Sequence, residues 1–125
     1  MIVERARAAI GAPFRLHGRD PASGLDCVGL AAWAFGTEAP GGYALRSGDV
    51  ARVRAVVAGL GLVEAAERRA GGLLLLRVSP AQLHLAIDSG SGIIHADAML
   101  RRVVERPGEI PWPVIARWAS LTASP

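Results

Sequence analysis

Hydrophobic periodicity changes halfway along this 125-residue chain, and the change limits the choice of fold more than any other sequence feature. The first half carries helical patterns at residues 2–10, 27–35 and 49–58. The second half carries short apolar runs separated by glycine, serine and proline turns, at 62–65, 73–78, 83–88, 93–98, 100–104 and 114–120. Such runs predict β-strands. Helices followed by strands predict an α+β domain with a mostly antiparallel sheet.

The composition indicates one compact domain spanning residues 1–125. Hydrophobic residues make up 51% of the chain and charged residues 20%, far from the balance of a disordered segment. The net charge of +3 is carried by 14 scattered arginines, and aromatic residues are only 5%. No basic stripe or stacking platform is visible, so we expect no nucleic-acid partner.

The N-terminal segment does not resemble a signal peptide, because Glu4, Arg5 and Arg7 interrupt what would be its apolar centre. No run reaches the about 20 apolar residues of a membrane-spanning helix. We therefore expect synthesis in the cytoplasm, with neither an export signal nor a membrane span in this chain.

Cys27 is the only cysteine, so the fold has no internal disulfide and the thiol is free to react. Asp26 is placed as the N-cap of helix 27–35, and Gly36 as its C-terminal stop. A thiol in the first turn of a helix gains support for its thiolate from the helix dipole. The simpler alternative is that Cys27 is a small buried hydrophobic residue.

His84 and His95 each interrupt an apolar strand, where a buried imidazole needs a polar partner. A two-residue turn at Ser89 and Gly90 would place the two histidines directly opposite each other. A turn at Gly90 and Ser91 would make them diagonal neighbours, with His95 facing Ala86. Any even-length loop keeps both on one face of the sheet, whereas an odd-length loop separates them.

A nucleophile, a base and a group that orients the base are the requirements for covalent acyl transfer, and Cys27, His84 and His95 could fill these roles. Two alternatives stay open. The histidines could be a satisfied polar pair in the core, or all three residues could bind zinc with a water as the fourth ligand. They lack the close paired spacing of most zinc sites, so we expect no metal and no other cofactor.

The string GAPFRLHGRDPASGLDCVGLAAW, followed by LHLAI and then IIHA, resembles the NlpC-type family of cell-wall cysteine peptidases over nearly the whole chain. The resemblance implies a papain-like fold with Cys27 as nucleophile, His84 as base and His95 as the residue that orients it. It also implies hydrolysis of the amide between D-glutamate and the following diamino acid in peptidoglycan stem peptides.

The sequence departs from the family pattern around the nucleophile. Val28 stands where serine is common, and the arm before the cysteine has Phe14, Leu16, His17 and Gly18 in place of tyrosine or tryptophan followed by two glycines. Because the tyrosine hydroxyl is missing, the Cys27 N–H and His17 become the candidate oxyanion donors. We take Phe14 and Asp26 as further candidate contacts to substrate, in a groove lined by residues 14–23 and 36–48.

The motif Asp-Cys-Val-Gly-Leu, the short chain and the missing signal resemble the phage-tail-related branch of the family. A tail or tail-like particle would then carry the enzyme to the wall, and its proteins would be partners of the chain. Two other functions stay open: a non-catalytic module that binds wall peptide or a tail protein, and an acyltransferase or thioesterase acting on a lipid or small amide. A catalytic thiol is expected to alkylate well below its ordinary pKa of about 8.5.

Overall fold

A computed structural model describes residues 1–38 and 48–120 of the chain. The helices are α1 (Ile2–Ala8), α2 (Cys27–Phe35) and α3 (Val50–Ala58). The strands are β1 (Arg19–Asp20), β2 (Gly24–Leu25), β3 (Leu62–Glu64), β4 (Leu73–Ser79), β5 (Gln82–Asp88), β6 (Gly92–Asp97), β7 (Arg102–Pro107) and β8 (Val114–Ser120). The predicted α+β class is confirmed. None of the helices in the described ranges is long and apolar enough to cross a membrane.

Strands β3 to β8 form one antiparallel sheet in the order β3-β8-β4-β5-β6-β7. β4 and β5 pair along nearly their whole length, whereas β5 and β6 pair only at Ile87↔Ile94 and Asp88↔Ile93. Helix α2 contacts both β5 and β6. The backbone of Leu85, a β5 residue outside the stretch paired with β6, hydrogen-bonds the thiol of Cys27 at the start of α2.

Side-chain alternation gives the sheet two buried faces. One face packs against the helices, and its strand residues include Leu75, Leu85 and Ile87. The opposite face carries a smaller apolar cluster of Leu74, Leu76, Ala86 and Ile93, against which Ile110, Trp112 and Val114 pack. The segment before β8 therefore covers the outer face of the sheet.

Helix α2 carries apolar residues on all sides, and this allows almost all of it to be buried. Seven of its nine residues are buried, including Val28 and Leu30. Gly29 lies against the backbone of the arm, where an added Cβ would collide with the Gly18 carbonyl oxygen. Close contact between the arm and α2 thus requires glycine at position 29.

The structure corrects three details of the sequence prediction. Helix α1 ends at Ala8, two residues before the end of the predicted helix at residues 2–10, and Ile10 is 44% exposed. The arm before Cys27 contains two short paired strands, β1 and β2, in a region where the sequence predicted no strand. Strand β7 runs over Arg102–Pro107 instead of residues 100–104, because Asp97 accepts hydrogen bonds from the backbone of Met99 and Leu100 and extends the preceding turn.

Candidate active site

Helix α2 begins and ends as the sequence predicts. Asp26 has an extended backbone, and its Oδ1 accepts a hydrogen bond of 2.8 Å from the Gly29 N–H. Gly36 ends the helix in the left-handed conformation, with φ of 68°. Cys27 is therefore the first residue of α2, where the backbone N–H groups have no carbonyl partner within the helix.

Asp26 also ties the arm to the helix. Its Oδ2 accepts a hydrogen bond of 2.8 Å from the backbone N–H of His17, which has a left-handed φ of 59°. Only 3% of Asp26 is exposed. The carboxylate thus places the thiol and the arm relative to each other, while a direct contact of Asp26 with substrate stays a prediction.

The Cys27 thiol is held in its neutral form. Its pKa is raised to about 12, chiefly by burial, since only 6% of the residue is exposed, and also by the charge of Asp26. Backbone hydrogen bonds from Leu85, Val28 and Cys27 itself act in the opposite direction but are outweighed. The expected lowering of the thiol pKa by the helix is therefore wrong for this structure, because desolvation has the larger effect.

The two histidines meet across the β5–β6 hairpin. The turn centres on Gly90 and Ser91, because Ile87 faces Ile94 and the Ser89 N–H donates to the Gly92 carbonyl at 3.0 Å. This is the diagonal arrangement, and the prediction of a common face is confirmed. His84 Nε2 and His95 Nδ1 are 2.9 Å apart, with ring planes at 82°.

Both imidazoles are neutral near pH 7. The pKa of His84 is lowered to about 4, chiefly by burial and also by electrostatic interaction with His95, while Asp97 opposes the shift. Burial also lowers the pKa of His95, where Asp97 again opposes the shift and Arg106 adds to it. Because His84 Nε2 is engaged by His95, Nδ1 is the nitrogen left to receive a proton.

Cys27, His84 and His95 all line one cleft of about 690 Å³. No hydrogen bond joins the Cys27 Sγ to either imidazole within residues 1–38 and 48–120. The three side chains share a cavity, but the thiol and its candidate base are not yet in hydrogen-bond contact. Catalytic hydrogen bonds often shorten only when substrate is bound.

The walls of the cleft differ from the predicted groove. Only Phe14, Leu16 and His17 come from the arm, and residues 39–47 of the predicted loop lie outside the described residues. Gly36 and Glu38 line a separate pocket. The rest of the wall comes from the sheet and its turns: Val78, Gln82, Leu83, Ala96, Asp97, Ala98, Met99, Arg106 and Trp112.

Three lining residues were not recognised from the sequence. The Trp112 ring is edge-on to both histidines, with centroids 5.9 Å from His84 and 5.7 Å from His95. Asp97 lies two residues after His95, a spacing that places both side chains on one face of a strand. This spacing could have identified Asp97 as a residue of the cleft. Arg106 faces Ile93 across β6 and β7. Local sequence patterns do not predict the positions of Trp112 and Arg106.

The remaining predicted residues lie at the cleft in different environments. Phe14 is partly buried and packs against the core, while His17 is exposed. An oxyanion role for His17 stays a prediction. Within the described ranges, no group of three or more His, Cys, Asp and Glu side chains is arranged to hold a metal ion.

No family model matches the sequence, and no curated protein matches it. Several solved structures, in contrast, are similar to this chain. The NlpC/p60 domain of the peptidoglycan hydrolase SagA is 26% identical, with a TM-score of 0.58 over 85% of this chain and 86% of that domain. NlpC1 from Trichomonas vaginalis is 20% identical, with a TM-score of 0.64 over 95% of this chain and 44% of that one.

The peptidoglycan hydrolase RipB from Mycobacterium tuberculosis is 21% identical, with a TM-score of 0.62 over 98% of this chain. This chain spans 64% of the RipB chain and less than half of NlpC1. The three alignments cover between 85% and 98% of this chain. The chain has the papain-like fold of NlpC/p60 domains.

Proposed function

We propose that this chain is a cysteine peptidase that hydrolyses the amide between D-glutamate and the following diamino acid in peptidoglycan stem peptides. The observation that carries the proposal is a thiol at a helix start that shares a cleft with a hydrogen-bonded pair of histidines. The similarity to the peptidoglycan hydrolases SagA and RipB supports the class of substrate.

Acylation begins from a neutral thiol and a neutral imidazole. As the Cys27 Sγ bonds to the scissile carbonyl carbon, His84 Nδ1 accepts the thiol proton, and the carbonyl oxygen becomes an oxyanion. Backbone N–H groups at the helix start are the donors best placed to stabilise that oxyanion. The His84 Nε2 proton remains bonded to His95 Nδ1, which holds the ring while it is positively charged.

The intermediate then collapses toward the thioester. His84 Nδ1 returns its proton to the amine nitrogen of the diamino acid as the C–N bond breaks, and the glutamyl group stays on Cys27. His84 next takes a proton from a water that attacks the thioester carbonyl. The C–S bond breaks, the thiol regains its proton from His84, and the D-glutamyl product leaves with a free carboxylate.

The charge of the cleft is compatible with a stem peptide. Arg106 lies on the wall, close enough for its charge to lower the pKa of His95. A guanidinium is well suited to bind a carboxylate, and stem peptides carry free carboxylates. Arg106 is therefore our candidate for holding the substrate at its acidic end.

The apolar part of the cleft favours a second candidate function. Phe14, Leu83, Met99 and Trp112 line it, and Met99 is 92% exposed. Such walls would also accept the acyl chain of a lipid or small amide, with the same acyl-enzyme chemistry. Faster turnover of p-nitrophenyl acyl esters as the acyl chain lengthens, without cleavage of wall peptide, would support this second function.

We also propose that a tail-like particle delivers the protein to the wall. The support is the motif Asp26-Cys27-Val28-Gly29-Leu30, which resembles that of the phage-tail-related branch. Tail-assembly genes beside the coding sequence, and the protein itself in purified particles, are the expected observations. Neighbouring genes unrelated to tail assembly would count against delivery by this route.

The direct test compares the parent protein with Cys27→Ala on a muropeptide that contains D-glutamyl-diaminopimelate. Mass spectrometry should show the two fragments with the parent and none with the variant. Circular dichroism verifies that both proteins are folded. Binding of the muropeptide without cleavage by a folded parent would instead identify a non-catalytic wall-binding module.

A further inference from the structure

We propose that Asp97 is a positioning residue for the two histidines, because its carboxylate fixes the Nε2 proton on His95 and thereby sets the tautomer of His84. The catalytic consequence rests on the proposed peptidase function. The tautomers themselves do not depend on it, and they can be measured without any substrate.

The first observation is a buried nitrogen without a partner. His95 is 2% exposed, and its Nε2 has no hydrogen-bond partner among the described residues. Asp97 Oδ2 lies 3.9 Å from that nitrogen. This distance is too long for a hydrogen bond, but a full negative charge at this range still acts on the N–H dipole in a site shielded by protein.

The second observation is that Asp97 is held in place from its other side. Its Oδ1 accepts hydrogen bonds from the backbone N–H groups of Met99, at 2.8 Å, and Leu100, at 3.0 Å. The side chain is 21% exposed, so its charge is only partly screened by solvent. With Oδ1 bound to the turn, Oδ2 is the oxygen left toward His95.

The tautomers follow from the hydrogen-bond inventory of neutral imidazole, which carries one proton on its two nitrogens. A lone pair on His95 Nε2 would face the carboxylate and be repelled, so Nε2 carries the proton. His95 Nδ1 is then an acceptor, and His84 Nε2 must donate to it across 2.9 Å. The lone pair of His84 therefore lies on Nδ1, where a base for Cys27 is needed.

The opposite arrangement has the same number of hydrogen bonds but cannot catalyse the reaction. If His95 Nδ1 carried the proton, His84 Nε2 would accept it, and His84 Nδ1 would hold a proton instead of a lone pair. Arg106 lowers the pKa of His95 through its charge, so it disfavours a second proton on that ring and helps to keep the ring neutral. The Trp112 ring, edge-on to both imidazoles, carries no charge to choose between the two arrangements. Asp97 therefore favours the arrangement in which His84 Nδ1 carries the lone pair and can act as the base.

The test is long-range ¹H–¹⁵N NMR of the imidazoles in the parent and in Asp97→Asn. We expect the parent to carry its protons on Nε2 of both His84 and His95. Asparagine keeps an oxygen for the Met99 and Leu100 N–H groups but turns an amide N–H toward His95. We expect both rings to shift toward the Nδ1-protonated tautomer, and kcat on muropeptide to fall at least about 100-fold with KM little changed.

The matched control is Asp20→Asn, because Asp20 Oδ1 also accepts a turn N–H, from Ala22 at 2.8 Å, but the residue does not line the cleft. It should leave both tautomers unchanged, and the exposed His17 serves as an internal reference in every spectrum. Unchanged tautomers in a folded Asp97→Asn protein would overturn the inference. A parent spectrum with His95 protonated at Nδ1 would also overturn it, even if the variant does not fold. Failure of the parent to cleave muropeptide would count against the peptidase proposal only.

Discussion

Replacing Asp26 by alanine should destabilise the fold more than an ordinary loss of a helix cap. The carboxylate is almost fully buried and accepts two hydrogen bonds of 2.8 Å, from Gly29 at the start of α2 and from His17 in the arm. Both N–H groups lose their acceptor in the variant. The substitution therefore affects the helix and the arm together.

The expected size of the effect follows from these two contacts. Loss of an N-cap costs about 1 kcal/mol. The His17 N–H, whose hydrogen bond to Asp26 is partly buried, loses its acceptor as well, which adds about 1–3 kcal/mol. The free energy of unfolding should thus fall by about 2–4 kcal/mol, a large part of the 5–15 kcal/mol that is typical of a domain.

Urea unfolding followed by tryptophan fluorescence measures this change. With a typical urea dependence of about 2 kcal/mol per molar, the midpoint should fall by about 1–2 M. Asp26→Asn is the control, because it keeps one oxygen for the Gly29 N–H but lacks the charge and the second acceptor. It should lose less stability than Asp26→Ala.

The same control also reports on the thiol. The charge of Asp26 raises the pKa of Cys27, so Asp26→Asn should alkylate faster than the parent with iodoacetamide at pH 8. A loss of less than about 0.5 kcal/mol in Asp26→Ala would show that the two hydrogen bonds do not hold the site together. Slower alkylation of folded Asp26→Asn would refute the electrostatic part of the reasoning.

Three further predictions concern packing and charge. Gly29→Ala should lower the urea midpoint and make the arm more sensitive to proteolysis, because the added Cβ would collide with the Gly18 carbonyl oxygen. Unchanged proteolysis of the variant would contradict this close contact. The urea midpoint should be highest between about pH 6.5 and 9. The midpoint should fall toward pH 4, because the folded state resists protonation of His84, and it should also fall above pH 9, because the folded state resists ionisation of Cys27. The Cys27→Ala variant should lack the decline above pH 9. A parent midpoint that rises above pH 9 would refute the prediction for Cys27. Arg68→Ala should cost about 2–4 kcal/mol in urea unfolding, because it leaves the carboxylate of Asp88 buried without its cation; a cost near zero would mean that water replaces the arginine.

The parts of the site that the sequence predicts are those set by local chemistry. The bounds of α2 follow from Asp26 as a cap and Gly36 as a left-handed stop, and the structure has both. His84 and His95 lie on a common face because the hairpin loop has an even number of residues. This conclusion is the same for a turn at Ser89 and Gly90 and for a turn at Gly90 and Ser91. Neither conclusion needs knowledge of distant segments.

The parts that the sequence does not predict depend on contacts between distant segments. The helix start predicts a more acidic thiol, but the depth at which the arm and sheet bury Cys27 decides the direction of its pKa shift. Trp112 reaches the histidines only because the segment before β8 crosses the outer face of the sheet. The described cleft wall differs from the predicted groove for the same reason, since strands β4 to β7 supply about half of its residues.

The most direct test of Cys27 as nucleophile and His84 as base is the mass of the intact protein during turnover of L-alanyl-γ-D-glutamyl p-nitroanilide. We expect a burst of p-nitroaniline and an added acyl mass that peptide mapping places on Cys27. Both should be absent from Cys27→Ala and strongly reduced in His84→Ala. Release of p-nitroaniline by folded Cys27→Ala at the parent rate, or acylation at another residue, would contradict the proposed roles.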